Sequence, residues 1–187
     1  MYTDLTIEKN IFQKNVKTYV IIDLAINEDI WTYITQIYEV KYYSLANNED
    51  FKDLEFVAPY IVELTKKSSF LYWLFKEGYG NNWMTFLQTN KRIEELKKQF
   101  SDFFYQKIEV KIDNIIEYQE SYFAFYDPRV FIGYMNILSE VDKVDFFDGI
   151  DCFLCENIFN KEEVLEYKLD TLTNKIIIKK LNMKGDV

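Results

Sequence analysis

Two groups of residues have the types and spacing that chemistry would need. Cys152 and Cys155, the only cysteines, form a CFLC unit with the C-x-x-C spacing of redox and zinc motifs. A zinc site wants a second pair of ligands, which the chain does not supply. A redox pair wants an electropositive helix N-terminus, whereas Asp148, Asp151 and Glu156 would raise the thiol pKa. The pair therefore reads as two reduced, partly buried thiols in an extended segment. The second group is the 31 Asp and Glu, enough to supply a glycosidase-like pair, although no spacing singles one out. A surplus of acids ordinarily marks a solvated surface.

The chain has no histidine. That removes Ser-His-Asp and Cys-His hydrolases, zincins and mixed Cys/His zinc sites together, because histidine is the usual general base near neutral pH and the commonest metal ligand. No catalytic residue, metal ligand or cofactor is assigned, and the expectation is a protein that is not an enzyme.

A third stretch, YFAFYDPRV from Tyr122 to Val130, places Pro128, one of two prolines, between Asp127 and Arg129. Period-two alternation puts Phe123 and Phe125 on one face of a strand ending at Tyr126, with Tyr122, Ala124 and Tyr126 on the other. Pro128 has no ladder donor, but its fixed φ suits the first position of a helix. Asp127 then stands where an N-cap carboxylate accepts from the exposed N–H groups and meets the positive end of the helix dipole. Val130, Phe131, Tyr134, Ile137, Leu138 and Val141 continue at helical spacing, which predicts a helix from Pro128 to about Ser139. Arg129 is left without a local role. Its guanidinium suits a carboxylate in two-pronged geometry, either pinning two elements together or reaching a partner.

The elements that must position these residues follow from periodicity. Lys17 to Ala25 is a β-branched run of strand length, continuous enough to be central and covered on both faces. Asn27 is a cap for a helix whose stripe is Ile30, Ile34 and Ile37, backed by Trp31 and Tyr38. Lys41 to Leu45 reads as a strand closed by the turn-rich NNED. Leu54 to Leu64 contains Pro59, which argues for an edge, a bulge or two short strands rather than one central ladder. A helix from Ser68 or Ser69 buries Leu71, Leu74 and Phe75 and stops at Gly78, a residue suited to a left-handed C-terminus. WMTFLQ is a strand, and Asn90 is the cap of a helix carrying Ile93, Leu96, Phe100, Phe103 and Phe104. Hairpin strands follow to Tyr126. After Glu162, DTLTN between YKL and KIIIKKL favours a C-terminal hairpin over a helix.

The fold class expected is α+β, with a mixed β-sheet, packed helices and a helix-rich C-terminal lobe. The 187 residues make a single compact two-lobed domain, 1–126 an α/β lobe and 127–187 the helix-rich lobe. No repeat or linker divides them. A net charge of −9 repels phosphate backbones and anionic lipid surfaces, so neither nucleic acid nor membrane is an expected partner. No apolar run approaches the length of a spanning helix, and MYTDLTIEKN lacks the layout of a signal peptide, so the expected location is cytoplasmic.

FAFYDPRV resembles the F-R-F-Y-D-P-R-V signature of the type VI secretion effector adaptors, the Tap or Tec chaperones. Other segments resemble that family in the same order. YVIIDLA is similar to its Y-A-L-L-D-G-A strand, APYIVEL to its A-P-Y-L-V-x-L segment, TNKRIEELKKQF to the helix before its hairpin, and FFDGI to its closing F-F-G-P. The likeness spans about Tyr19 to Ile150. Ala124 stands where the family often has Arg, Leu24 where Gly is common, Gln99 to Ser101 in place of H-L-R, and Asp148 with Gly149 in place of G-P. The resemblance implies a cytoplasmic loading factor that holds a toxic effector and helps deliver it to the VgrG spike, with Tyr126, Asp127, Pro128 and Arg129 as its motif.

The composition suits gripping protein, with 15 Tyr, 16 Phe and 3 Trp available as contacts. Trp73, Tyr79 and Trp83, around the glycine loop, and Arg129 are the candidate anchors, although such aromatics are more often core. No small-molecule substrate is expected. The alternative is an immunity protein, an acidic inhibitor that neutralises a basic toxin domain by complementary charge.

Overall fold

The computed structural model describes residues 4–46, 55–112 and 115–183. Helix α1 (Asp4–Ile11) leads into strand β1 (Lys17–Asp23), a 3-10 turn (Leu24–Ile26) and α2 (Asp29–Thr32), which continues as a π-helical turn (Tyr33–Ile37). Strand β2 (Tyr42–Ser44), a 3-10 turn (Glu55–Val57), β3 (Pro59–Leu64), α3 (Ser69–Trp73) with a second π-helical turn (Leu74–Gly78), β4 (Met84–Thr89) and α4 (Ile93–Phe104) follow. The remainder is β5 (Tyr105–Ile112), β6 (Ile115–Tyr122), α5 (Pro128–Ile137), α6 (Glu140–Phe146), β7 (Ile150–Glu156), β8 (Glu163–Asp170) and β9 (Lys175–Asn182).

Seven strands form one sheet in the order β2-β3-β1-β4-β7-β8-β9, and β5 with β6 forms a separate two-stranded ladder. The class is α+β, as the residue pattern indicates. Among the described residues every pairing is antiparallel, so the sheet is not mixed in strand direction. Strands β1 and β2 do run the same way, but β3 lies between them and pairs with both.

Alternation along the strands divides the core into two halves. Val20 and Ile22 of β1 face one side with Tyr60, Val62, Phe86 and Leu154, where α1, α2 and α3 bring Ile11, Ile30, Ile34, Phe70 and Leu71. Tyr19 and Ile21 face the other with Leu87, Phe153 and Tyr167, under Ile93, Phe100, Phe131 and Phe146 of α4, α5 and α6. Helices on both faces explain why β1 is a continuous apolar run. Each large apolar side chain so buried contributes about 1.5–3 kcal/mol.

Several expectations are corrected. The later part of the chain is helix-rich only through α6, and β7, β8 and β9 extend the same sheet that holds β1, so the boundary at residue 126 separates no sheet. The β8–β9 hairpin forms as expected, with Asn174 at φ 52 in its turn. Strand β3 is internal, and Pro59 is tolerated because it is the first residue of the strand. Ile37 is exposed, because the i→i−5 bond from Tyr38 N–H to Tyr33 C=O widens the turn and carries it off the Ile30–Ile34 face. Arg92 rather than Asn90 precedes α4, and its N–H donates to the Glu95 carboxylate at 2.8 Å. The NNED turn lies outside the described residues.

Strand β6 ends at Tyr122, four residues earlier than the alternation predicts. Phe125 N–H turns back to Phe123 C=O and Asp127 N–H to Ala124 C=O, so Phe125 and Tyr126 are both buried instead of facing opposite ways. Helix α5 stops at Ile137, which with Val141 is exposed, while Phe131, Met135 and Leu138 are buried.

Candidate functional site

Helix α5 begins as its sequence dictates. Asp127 is extended (φ −70, ψ 122), its Oδ1 accepts from Arg129 N–H at 2.8 Å, and Pro128 occupies the first helical position. Thr85 Oγ1 of β4 donates to Tyr126 C=O at 2.8 Å, tying the junction to the sheet. Arg129 then folds back onto its own cap. Its Nε donates to Oδ1 at 2.9 Å and to Oδ2 at 3.1 Å, and Nη2 donates to Oδ2 as well. Asp127 is buried, yet the Arg129 side chain remains 60% exposed. Among the described residues the arginine side chain hydrogen-bonds to no second element; its guanidinium is held in one orientation and presented to solvent.

Two further carboxylates share this end of the sheet. The register Ile22↔Met84, Thr85↔Cys155 and Glu156↔Val164 brings the carboxyl ends of β1 and β7 to the amino ends of β4 and β8. Asp23 closes β1, and its Oδ1 accepts from Ala25 N–H at 2.9 Å. Glu156 closes β7, and its Oε1 accepts at 2.6 Å from the N–H of Asn82, which sits at φ 59. Burial pushes both carboxyls above the usual carboxylate range. For Asp23 the Ala25 N–H opposes this, Asp127 adds to it and Arg129 relieves it. For Glu156 the N–H groups of Asn82 and Gly80 and the charge of Lys161 oppose it, and Asp127 adds to it. Arg129, in turn, is held more firmly protonated, first by its bond to Asp127.

The chemistry available here is anchoring. Each of the three carboxylates accepts from a main-chain N–H of a turn or helix start. Asp127 alone holds the outward guanidinium by hydrogen bonds, and Asp23 and Glu156 act on it through charge. Among the described residues no three His, Cys, Asp or Glu side chains are grouped to hold a metal. Exposed apolar side chains lie in the connections at the same end: Ile26 after β1, Phe56 before β3, and Ile158 and Phe159 after β7, the last 85% exposed.

Residues 18–143, more than half of the chain, match the family described as Domain of unknown function (DUF4123). The chain belongs to this family. The DUF4123 match takes in β1 through α5 and ends within α6, so Asp23, Asp127 and Arg129 lie inside it while Glu156 and strands β7 to β9 lie beyond it. No curated protein matches the chain, and no solved structure does.

The aromatic anchors expected around the glycine loop of this DUF4123 chain are placed in the core. Tyr79 is buried, stacked on Phe75, with its O–H donating to Glu163 C=O at 3.0 Å. Trp83 is buried beneath Gly78, where an added Cβ would stand 2.7 Å from Trp83 Cε3. Trp73 is half-buried, its ring 4.3 Å from Tyr33 and 5.8 Å from Trp83. Gly78 is therefore required for close approach, and the left-handed glycine of this loop is Gly80, at φ 83. Arg129 is placed separately, at the start of α5, where Asp127 holds it.

The two thiols are free and buried. Three residues apart in an extended strand, they point to opposite faces: Cys152 into the half covered by α1 to α3, its Sγ 3.2 Å from Gln88 Oε1, and Cys155 into the half covered by α4 to α6. The sheet stands between them. Burial raises both, Cys152 to about 12, which keeps them protonated.

Sequence reasoning missed Asp23, Glu156 and Phe159. The signal for the first two was a lone acid ending an apolar strand, YVIID and CFLCE. Phe159 offered none, because exposure of a loop aromatic is decided by what fails to cover it.

Proposed function

We propose that the protein is a non-catalytic adaptor that binds a type VI secretion effector and helps load it onto the VgrG spike. Membership of the DUF4123 family and the ordered motifs that include FAFYDPRV support the class of protein. The observation that carries the binding reading is the state of Arg129. Of the signature residues, Tyr126, Asp127 and Pro128 are consumed in building a strand-to-helix junction, whereas the arginine is oriented by Asp127 and left open to solvent. A pre-oriented guanidinium at the same end of the sheet as exposed apolar side chains is a good protein contact, since little side-chain entropy remains to be lost on binding.

Purified protein is expected to capture both an effector encoded beside its gene and the C-terminal part of a VgrG, with Arg129→Glu weakening capture while leaving the fold intact. Failure with every neighbouring effector would sink the reading. The immunity-protein alternative is separated by co-expression, since an inhibitor rescues cells from the isolated toxin domain and an adaptor does not.

A further inference from the structure

We propose that the outer edge of β9 is a strand-addition site for an extended segment of a partner protein in which carboxylates are interspersed with apolar residues. The proposal rests on the protein-binding reading above and names a surface and a kind of ligand for it. Strand β9 is the last of the seven, and among the described residues it pairs only with β8. The direction of its backbone groups follows from the register. Met183 N–H donates to Glu162 C=O at 2.8 Å, one step beyond the pair Glu163↔Asn182. Hydrogen-bonded pairs alternate along an antiparallel ladder, so Leu181, Lys179, Ile177 and Lys175 direct their N–H and C=O toward β8. Ile176, Ile178 and Lys180 direct theirs outward. The next outward group, Asn182 C=O, accepts from Asn10 Nδ2 of α1 at 2.9 Å, which confirms the parity and closes the edge at that end. The open stretch runs from Ile176 to Lys180.

Its side chains set the chemistry of the occupant. Ile177 and Ile178 are 55% and 50% exposed, an apolar centre on both faces of the strand. Around it stand Lys175, Lys179 and Lys180, with no acid in the strand, in a chain whose net charge is −9. Lys180 reaches Glu163 at 3.5 Å, while Lys175 and Lys179 make no ion pair among the described residues. Lysines on an open edge deter pairing with a like edge, so charge disfavours a second copy of β9 as the occupant. An extended segment with Asp or Glu opposite the lysines and apolar residues opposite the isoleucines meets both demands. Main-chain hydrogen bonds then give affinity and the alternating side chains give selectivity.

The test is a selection of random displayed peptides on the immobilised full-length protein, followed by affinity measurement on Ile178→Pro and on the double variant Lys175→Glu, Lys179→Glu. Proline at 178 deletes an outward N–H and leaves the β8 ladder its donors, so thermal unfolding should remain cooperative. Peptides alternating acids with apolar residues should be enriched, with affinity at least about tenfold weaker for either variant. Enrichment of no such pattern, or enriched peptides that bind both variants as they bind the parent, would overturn the proposal. Neither effector nor spike takes part, so this result is separable from failure of the adaptor reading.

Discussion

At the scale of single residues, Asp127 and Arg129 form one hydrogen-bonded unit but should behave oppositely when replaced. Asp127→Ala removes a buried cap acceptor and should cost about 1 kcal/mol in denaturant unfolding. Arg129→Ala removes the exposed half of an ion pair and should cost less than about 1 kcal/mol, while capture of a partner falls. A large loss of stability from the arginine change would reassign it to structure. Glu156 makes a prediction in pH. Its folded pKa lies above the ordinary unfolded value of about 4.3, so between the two the native state binds more protons than the unfolded state. Stability contributed by this group is therefore present below about pH 4 and declines as pH rises through the raised value. Asp23, also raised, acts the same way, so the comparison must be made against Glu156→Gln alone. Urea midpoints of wild type relative to the variant should fall as pH climbs across that window; a gap independent of pH would mean that the carboxylate is solvated.

At the scale of elements, the turn from α3 to β4 depends on Gly78 for space. A methyl group there would meet Trp83 Cε3 at 2.7 Å and Met84 Cε at 3.0 Å, and Trp83 is fixed against Trp73. Gly78→Ala should destabilise by about 1–3 kcal/mol, as overpacking of a filled core does, read as a lower denaturant midpoint with unchanged slope. Which elements were legible in the sequence has a physical pattern. Strand β1, helix α5 and the β8–β9 hairpin are each fixed by local signals: an unbroken β-branched run, an Asp-Pro start and a polar turn between alternating strands. The π-helical turns after α2 and α3 were not, because i→i−5 bonding is selected by packing against the sheet and leaves no mark on composition. The end of β6 was missed for a related reason. Alternation of aromatics through Tyr126 is compatible with a strand, but Phe125 is drawn into the α4–α6 core beside Phe100 and Phe146 and the backbone turns to allow it. At the candidate site the Asp127 cap could be read locally, whereas Asp23 and Glu156 come from strand ends far apart in sequence, on either side of β4, and are brought to the same end only through the sheet order.

At the scale of the whole molecule, the family match and the folding unit do not coincide. The matched residues end at 143, yet β7 pairs with β4 on one side and β8 on the other and sends residues into both halves of the core. Cys152 and Leu154 lie against the α1–α3 side, Phe153 and Cys155 against the α4–α6 side, and Phe146, Phe131 and Phe100 all contact the Phe153 ring. A chain cut after Gly149 would leave β4, buried along its whole length, as an edge strand, and would uncover apolar surface above and below it. Strand β9 is different, since most of its residues are exposed and the segment after Asp170 contributes to the core only Leu181 and Ile176, packed against the two halves, and the buried Met183 just beyond the strand. Truncation after Gly149 should therefore abolish cooperative thermal unfolding and bind a hydrophobic dye, while truncation after Asp170 should lower the melting temperature yet keep a single cooperative transition. The second truncation leaves β8 as the new edge, and with β9 gone the displayed peptides that use its lysines should no longer bind. If instead the chain ending at Gly149 melts cooperatively, the sheet is not one unit, and β7 to β9 are an appended layer on a domain complete without them.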